Sequence, residues 1–203
     1  MSNNLISNAV MQNIDFCSRN GIENSLWEVG LNIHNFSRDQ RLRVLESVAS
    51  NLNSLLDNDV LNFVSYVLHS YTIQMDDAEK RLLVGIVMKK FGQNSDKIGE
   101  GIELMAILVK GCPNDCRSDL VELITKQSYN KDTSPSKIVS YANAVRYVFD
   151  EIDSEKQQLL YNSLQSILHE TRYVFLKPTI QYTLNNIKTL VSTKKLDDLN
   201  LNV

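Results

Sequence analysis

Apolar residues recur through most of the chain at the spacing of one helix face, and polar stretches separate the runs. Four aspartates stand 38 residues apart, each ahead of such a run: Asp39, Asp77, Asp115 and Asp153. Apolar pairs follow the first three aspartates at equal distances: Val44 and Leu45, Leu82 and Leu83, and Leu120 and Val121. The fourth run is shifted, with its apolar residues at Leu160 and Leu164. A recurring segment of this length that holds two helices is typical of helical repeats.

Helix start signals precede the repeated runs. Ser37 with Gln40, and Asp76 with Glu79, have the spacing of a capping box. In that motif two side chains satisfy N–H groups that the first turn of a helix leaves without partners. Both positions are therefore predicted to begin helices.

Polar turns divide each repeated segment near its middle, and a second helix is predicted after each turn. Ser134 followed by Pro135 is a clear start, because Ser caps a helix and Pro suits its first position. The predicted second helices cover 59–72, 96–110, 135–151, and from 173 or 178 to 191. Ahead of the repeats, 4–19 and 22–36 are predicted to form one more helical pair, separated at Gly21. Alternation of β-branched with polar residues is lacking, which predicts almost no sheet.

The pattern resembles HEAT-like α-solenoids over residues 37–192, through its period and apolar spacing rather than through a specific motif. The resemblance implies an all-α fold of antiparallel helical pairs stacked into a short solenoid, with the second helices lining the concave face. A compact multi-helix bundle is the alternative. We predict one domain over residues 1–203, with an N-terminal helical pair (1–36), four helical pairs (37–192) and a frayed tail (193–203).

Composition narrows the class of protein. The chain has 203 residues, 43% of them hydrophobic, with 7 Gly and 3 Pro, which suits long helices around a sizeable core. No apolar run approaches the roughly 18 residues of a membrane span. The start Met1-Ser2-Asn3-Asn4 lacks the basic segment of a secretory signal. The odd count of 3 cysteines predicts reduced thiols. We expect a cytoplasmic protein that does not associate with membranes.

Residues that carry catalysis or bind metals form no recognisable set. The three histidines are far apart in the sequence: His34, His69 and His169. Cys112 and Cys116 flank a turn and could serve as a redox switch or as half of a metal site. Incidental cysteines in a turn are the favoured interpretation, because no second Cys or His pair completes a tetrahedral set. We expect no enzymatic activity, no cofactor and no metal.

The net charge of −3 and the acidic pI disfavour a general nucleic-acid binder. Acidic residues fall at successive turns, where a solenoid would gather them along one edge: Asp57, Asp59, Asp76, Asp77 and Glu79. Such an edge could attract a basic partner. The alternative is that these residues only cap helices and keep the surface soluble. Four of them are taken as candidate partner contacts: Asp57, Asp59, Asp76 and Asp77.

Tyrosine and arginine are frequent anchors of protein interfaces, and the second helices hold several of them. Arg146 and Tyr147 are predicted to face outward and are added to the candidate partner contacts, whereas Tyr141 falls on the apolar stripe and is predicted to be core. Trp27, the only tryptophan, is predicted to anchor the core of the first pair. Its expected neighbours are Leu26, Leu31 and Ile33.

The leading hypothesis is a non-enzymatic protein-binding module. Within that class, a small acidic inhibitor or immunity-type protein is favoured, one that occludes a basic partner such as a nuclease toxin. The alternative is a helical repeat protein that binds nucleic acid through a lysine cluster, Lys89, Lys90 and Lys97. Carboxylates interleave with these lysines, which weakens the alternative. Oligomeric state and the identity of the partner do not follow from the sequence.

Overall fold

The computed structural model describes residues 19–71, 75–92, 95–127, 129 and 132–193. In this part of the chain the regular structure is helical, without a strand, which confirms the all-α prediction. The α-helices are α1 (Arg19–Asn32), α2 (Arg38–Asn51), α3 (Asp57–Tyr71), α4 (Asp77–Val87), α5 (Ser95–Val109), α6 (Asn114–Thr125), α7 (Pro135–Val148), α8 (Ser154–Glu170) and α9 (Lys177–Thr193). Single 3₁₀ turns lie at Ile33–Asn35, Phe149–Glu151 and Val174–Leu176, and a π-helical turn, Met88–Gly92, extends α4.

The predicted capping boxes both form. At the start of α2, Ser37 Oγ accepts a bond from Gln40 N (3.3 Å) while Gln40 Oε1 accepts one from Ser37 N (2.8 Å). Asp76 and Glu79 make the same reciprocal pair at α4, with bonds of 3.0 and 2.9 Å. Each box satisfies two N–H groups that the helix itself cannot, so the sequence specifies both starts locally.

Two other helix starts are also placed where the sequence predicted them. Asp153 caps α8, accepting a bond of 2.9 Å from Lys156 N. Pro135 is the first residue of α7, and Ser134 is at the cap position without a side-chain cap bond. The evenly spaced aspartates thus mark helix starts, although Asp153 is a cap whereas Asp39, Asp77 and Asp115 lie in the first turn.

The helices α2, α4, α6 and α8 bury the same positions when counted from their first residue. The seventh, eighth and eleventh residues are buried in each: Val44, Leu45 and Val48; Leu83, Val84 and Val87; Leu120, Val121 and Ile124; Leu160, Tyr161 and Leu164. The shift of the fourth run in the sequence therefore disappears once the helix start is used as the origin. In these four helices the buried apolar face thus lies at the same distance from the first helical residue.

The intervening helices have a second common pattern. In α3, α7 and α9 the fourth, seventh, eighth and eleventh residues are buried: Val60, Phe63, Val64 and Val67; Ile138, Tyr141, Ala142 and Val145; Ile180, Thr183, Leu184 and Ile187. In α1 and α5 the eighth and eleventh residues are buried as well: Leu26 and Val29, and Ile102 and Met105. The two patterns therefore share the seventh, eighth and eleventh positions, and the fourth residue is buried in α2 as well, as Arg41.

The described residues cluster into two compact units, one from 1–94 with 111–116 and the other from 95–110 with 117–203. In unit 1, α1 packs on α3 and α2 packs on α4. In unit 2, α5 packs on α7, α7 packs on α9, and α9 also packs on α8. Packing on the next helix but one is the arrangement that repeated helical pairs produce. The prediction of a single domain over 1–203 stays a prediction.

Some predicted boundaries differ from the structure. Gly21 was predicted to separate two helices, but α1 begins at Arg19 and continues through it. Gly21 is the third residue of α1 and lies in its first turn, so the helix starts before the glycine and not after it. The predicted helix over 4–19 lies almost wholly outside the described residues, as do Cys17 and the predicted tail beyond Thr193.

Candidate functional site

A pocket of about 230 Å³ opens on unit 1, lined by Trp27 of α1 and by Asp59, Asn62 and Tyr66 of α3. The three α3 residues are spaced by three and four positions, so they share one helix face. Both aromatic side chains are exposed, Trp27 at 51% and Tyr66 at 37% of their surface. Exposed Trp and Tyr beside a pocket are the residue types that dominate binding energy at protein interfaces.

Gly30 brings the two pocket-forming helices close together. A Cβ atom placed at this glycine would lie 3.1 Å from Tyr66 Cβ and 3.3 Å from the carbonyl oxygen of Phe63. Phe63 is fully buried and so gives α3 a fixed position at the crossing. The absence of a side chain at Gly30 therefore lets α1 approach α3 closely.

Asp59 gives the pocket its charge. The residue is half-buried, and none of the described basic side chains lies within ion-pairing distance of its carboxylate. Asn62 adds a neutral amide, and none of the described lining residues is cationic. The pocket thus combines one uncompensated carboxylate with two aromatic rings, a combination that favours cations over anions.

Other members of the predicted acidic edge are already paired within unit 1. Asp57 Oδ1 lies 3.0 Å from Lys90 Nζ. Asp76 caps α4 and also accepts a hydrogen bond from Arg38 Nε. The pKa of the Asp76 carboxyl lies below its ordinary value, because it accepts the Glu79 N–H and, secondarily, the bond from Arg38.

Glu79, assigned to the exposed edge from the sequence, is instead buried. Its side chain is 1% exposed and forms an ion pair with Arg41, at 2.5 Å from Nε to Oε1. Asp77 remains an exposed acid in the first turn of α4. Within the described part of the predicted edge, Asp59 and Asp77 are the acids without an ion pair, and Asp59 is the one that lines a pocket.

The predicted lysine cluster does not act as one exposed group. Lys90 is 10% exposed, and its Nζ donates to the carbonyl oxygens of Leu52 (2.9 Å) and Leu55 (2.6 Å) besides pairing with Asp57. Lys89 is exposed, and Lys97 lies in α5 with its side chain outside the described part. Lys90 therefore closes the turn between α2 and α3, a structural role that sequence reasoning missed.

Arg146 and Tyr147, the candidate contacts on α7, are both half-buried. The guanidinium carbon of Arg146 lies 5.4 Å from the centre of the Tyr147 ring, within the range of a cation–π contact. Tyr141 is fully buried, as predicted, and stacks against Tyr129 with ring centres 4.5 Å apart. Unit 2 also exposes Val174, Phe175 and Tyr182, of which Phe175 contacts Tyr173 edge to face.

The prediction that Trp27 anchors the core is wrong. Leu26 and Ile33 are buried, but Trp27 and Leu31 are 51% and 39% exposed. Leu26 and Ile33 are seven residues apart and share a face, whereas Trp27 and Leu31 are four apart on a neighbouring face. The predicted cluster mixed these two faces. Leu26, Val29 and Ile33 recur at the spacing of one helix face, and Trp27 does not fall on that face. This spacing was the sequence signal that could have predicted its exposure.

The cysteines that the structure describes lie near the start of α6. Cys112 is a half-buried thiol in the turn before the helix, and Cys116 is a half-buried thiol in its first turn, where its N donates to Pro113 O at 3.1 Å. Across the described residues, no cluster of three or more His, Cys, Asp or Glu side chains is arranged to hold a metal ion. None of the helices in this part of the chain combines the length and apolar character needed to cross a membrane.

Comparison of the chain with models of known protein families, with curated proteins and with solved structures finds no match.

Proposed function

We propose that this chain is a non-enzymatic protein-binding module, built as a short HEAT-like α-solenoid, which binds and occludes a basic partner protein. An inhibitor or immunity-type protein acting in the cytoplasm on a nuclease toxin is the specific form of this proposal. The observation that carries it is the exposure of Trp27 and Tyr66 beside the half-buried carboxylate of Asp59.

Burial energetics support a role for these aromatic side chains in binding. Leaving a large aromatic side chain exposed forgoes roughly 2 kcal/mol of burial free energy, which a partner that covers it recovers. Single exposed apolar residues are common, but Trp27 and Tyr66 line the same pocket. Leu31, one helical turn from Trp27, is 39% exposed and extends the apolar surface on α1.

Charge supports a basic partner. The full chain carries a net charge of −3, and the carboxylates of Asp59 and Asp77 have no ion-pair partner in the described part of unit 1. A basic protein approaching these groups gains both steering and local charge complementarity. The nucleic-acid alternative has less support, because the side chain of Lys90 is held by Asp57 and two backbone carbonyls.

The test is affinity capture with the tagged protein from its native lysate, with and without nuclease, followed by binding measurements on the purified pair. A protein that survives nuclease treatment and binds in a one-to-one complex is expected. Trp27→Ala should weaken that complex by about tenfold or more, as loss of an interface anchor does. Phe175→Ala removes a 68% exposed aromatic side chain from unit 2 and is the matched control.

Two results would overturn the proposal. One is recovery of nucleic acid alone, or of proteins lost after nuclease treatment. The other is a complex that Phe175→Ala weakens and Trp27→Ala leaves intact, because the binding surface would then lie in unit 2.

A further inference from the structure

We propose that the pocket formed by Trp27, Asp59, Asn62 and Tyr66 is a receptor for a single arginine side chain of the partner protein. This inference deepens the proposed function and rests on it for the identity of the arginine's carrier. The binding chemistry itself belongs to the pocket and can be measured without a partner.

Size favours one amino-acid side chain. Pockets that bury drug-sized ligands measure roughly 300 to 1,000 Å³. The pocket on unit 1, at about 230 Å³, falls below that range. A guanidinium group with part of its aliphatic stem suits such a volume better than a cofactor or a nucleotide does.

The charge of the lining residues favours a cation as the ligand of the pocket. Among the described lining residues, Asp59 supplies the only carboxylate and none is basic. Asp57, two residues earlier, has its charge compensated by Lys90 at 3.0 Å. Within the described part of the chain, Asp59 therefore has no such ion pair, and a ligand cation would supply one.

The aromatic rings favour arginine. The indole of tryptophan has the most attractive face for a cation among protein side chains, and arginine is the cation found there most often. A planar guanidinium stacks on an aromatic face while its N–H groups donate to a carboxylate, which the compact ammonium of lysine does less well. Trp27 and Tyr66 provide the faces, and Asp59 and Asn62 provide the acceptors.

Trp27 also provides the measurement, because it is the single tryptophan of the chain and gives a single indole N–H signal in a ¹H–¹⁵N correlation spectrum. The probe is Nα-acetyl-arginine amide, titrated to about 100 mM at constant ionic strength, with neutral Nα-acetyl-citrulline amide in parallel. A cation–π contact with one charge-assisted bond supports an apparent Kd on the order of 10 mM. The expected result is a saturable indole shift with the arginine probe alone.

Asp59→Asn tests the carboxylate while retaining a side-chain oxygen in the first turn of α3. The variant should weaken arginine binding by about fivefold or more, because a charge-assisted bond becomes a neutral one. Glu46→Gln removes an exposed acid of α2 that does not line the pocket, and it should leave the titration unchanged. Far-ultraviolet circular dichroism confirms that both variants keep their helices.

Three outcomes would overturn the pocket assignment: no saturable shift, an equal shift with the citrulline probe, or an unchanged titration in Asp59→Asn. The outcome is separable from that of the proposed function. If the pocket binds the arginine probe but no protein partner exists, the proposed function fails alone. If a partner is captured but the arginine probe does not bind, the pocket assignment fails alone.

Discussion

Arg41 and Glu79 lie 38 residues apart in the chain and form a buried ion pair, with 11% and 1% of their side chains exposed. Arg41 Nη1 also donates to the carbonyl of Phe36 at 2.6 Å, and Glu79 Oε2 accepts from Asp76 N at 2.9 Å. The pair therefore joins α2 to the capping box of α4. Its separation equals the spacing of the repeated aspartates.

Glu79→Gln should destabilise the protein by about 3 kcal/mol, because it breaks the buried ion pair with Arg41 by removing the charge of one partner. Arg38→Met is the control, since it removes an exposed pair between the same two helices, that of Arg38 with Asp76. The control should cost less than about 1 kcal/mol. Urea unfolding followed by circular dichroism measures both. Equal costs for the two variants would refute the distinction between a buried and an exposed pair.

Substitution by alanine should have opposite effects on stability at Gly30 and at Gly85. Gly85→Ala should stabilise the protein by about 0.5 to 1 kcal/mol, because a Cβ there meets nothing within 4 Å and alanine favours the helix. Gly30→Ala should instead be destabilising by about 1 kcal/mol, because its Cβ would crowd Tyr66 and the backbone of Phe63. Thermal unfolding of the two variants gives the comparison. A stabilised Gly30→Ala would show that α1 and α3 can separate at little cost.

Lys90→Met should destabilise the protein by about 2 kcal/mol, since it removes the donor to the carbonyls of Leu52 and Leu55 and breaks the ion pair with Asp57. Lys89→Met, at an exposed neighbouring position, should change the unfolding free energy by less than about 0.5 kcal/mol. Denaturant midpoints distinguish the two variants. An unchanged free energy of unfolding in Lys90→Met would contradict the structural role of Lys90.

The folded protein should lose stability at alkaline pH because of the buried phenol of Tyr141. Burial raises the pKa of its phenol from the ordinary 10.0 to about 12. Because the folded-state pKa is the higher one, its contribution is complete below pH 10 and is lost as the pH rises towards 12. Tyr141→Phe should therefore lose less stability than the wild type over that interval. Urea unfolding at a series of alkaline pH values tests this, and a difference independent of pH would contradict it.

Local signals explain why the helix starts were predictable. A capping box depends only on residues a few positions apart, so Ser37 and Asp76 could be identified from the sequence. The apolar spacing similarly predicted buried residues of α2, α6 and α8, whereas in α4 the predicted pair is displaced by one residue: Leu82 is half-buried, and Leu83 and Val84 are buried. The 38-residue spacing also identified the start of α8 at Asp153, where the apolar run is displaced.

The site residues depend on contacts that local pattern does not contain. The phase of the buried residues in α1 is a local signal for the exposure of Trp27, but the pocket beside it forms where α3 crosses α1, at Gly30 and Phe63. From the sequence, Glu79 is predicted to be a surface acid, because its ion-pair partner Arg41 is 38 residues away in the chain. Lys90 is likewise predicted to be a surface cation, because its acceptors in the turn after α2, the carbonyls of Leu52 and Leu55, are distant in the sequence. Sequence reasoning therefore assigned their charges correctly but not their environments.

The exposure of Trp27 has a spectroscopic consequence. Tryptophan emission shifts to shorter wavelength when water is removed from the indole, and the only indole of this protein is already 51% exposed in the folded state. Its fluorescence should therefore change little on unfolding, so it would be a poor monitor of stability. A partner that covers Trp27 should instead produce a clear blue shift. The intrinsic fluorescence of this protein is thus suited to following complex formation.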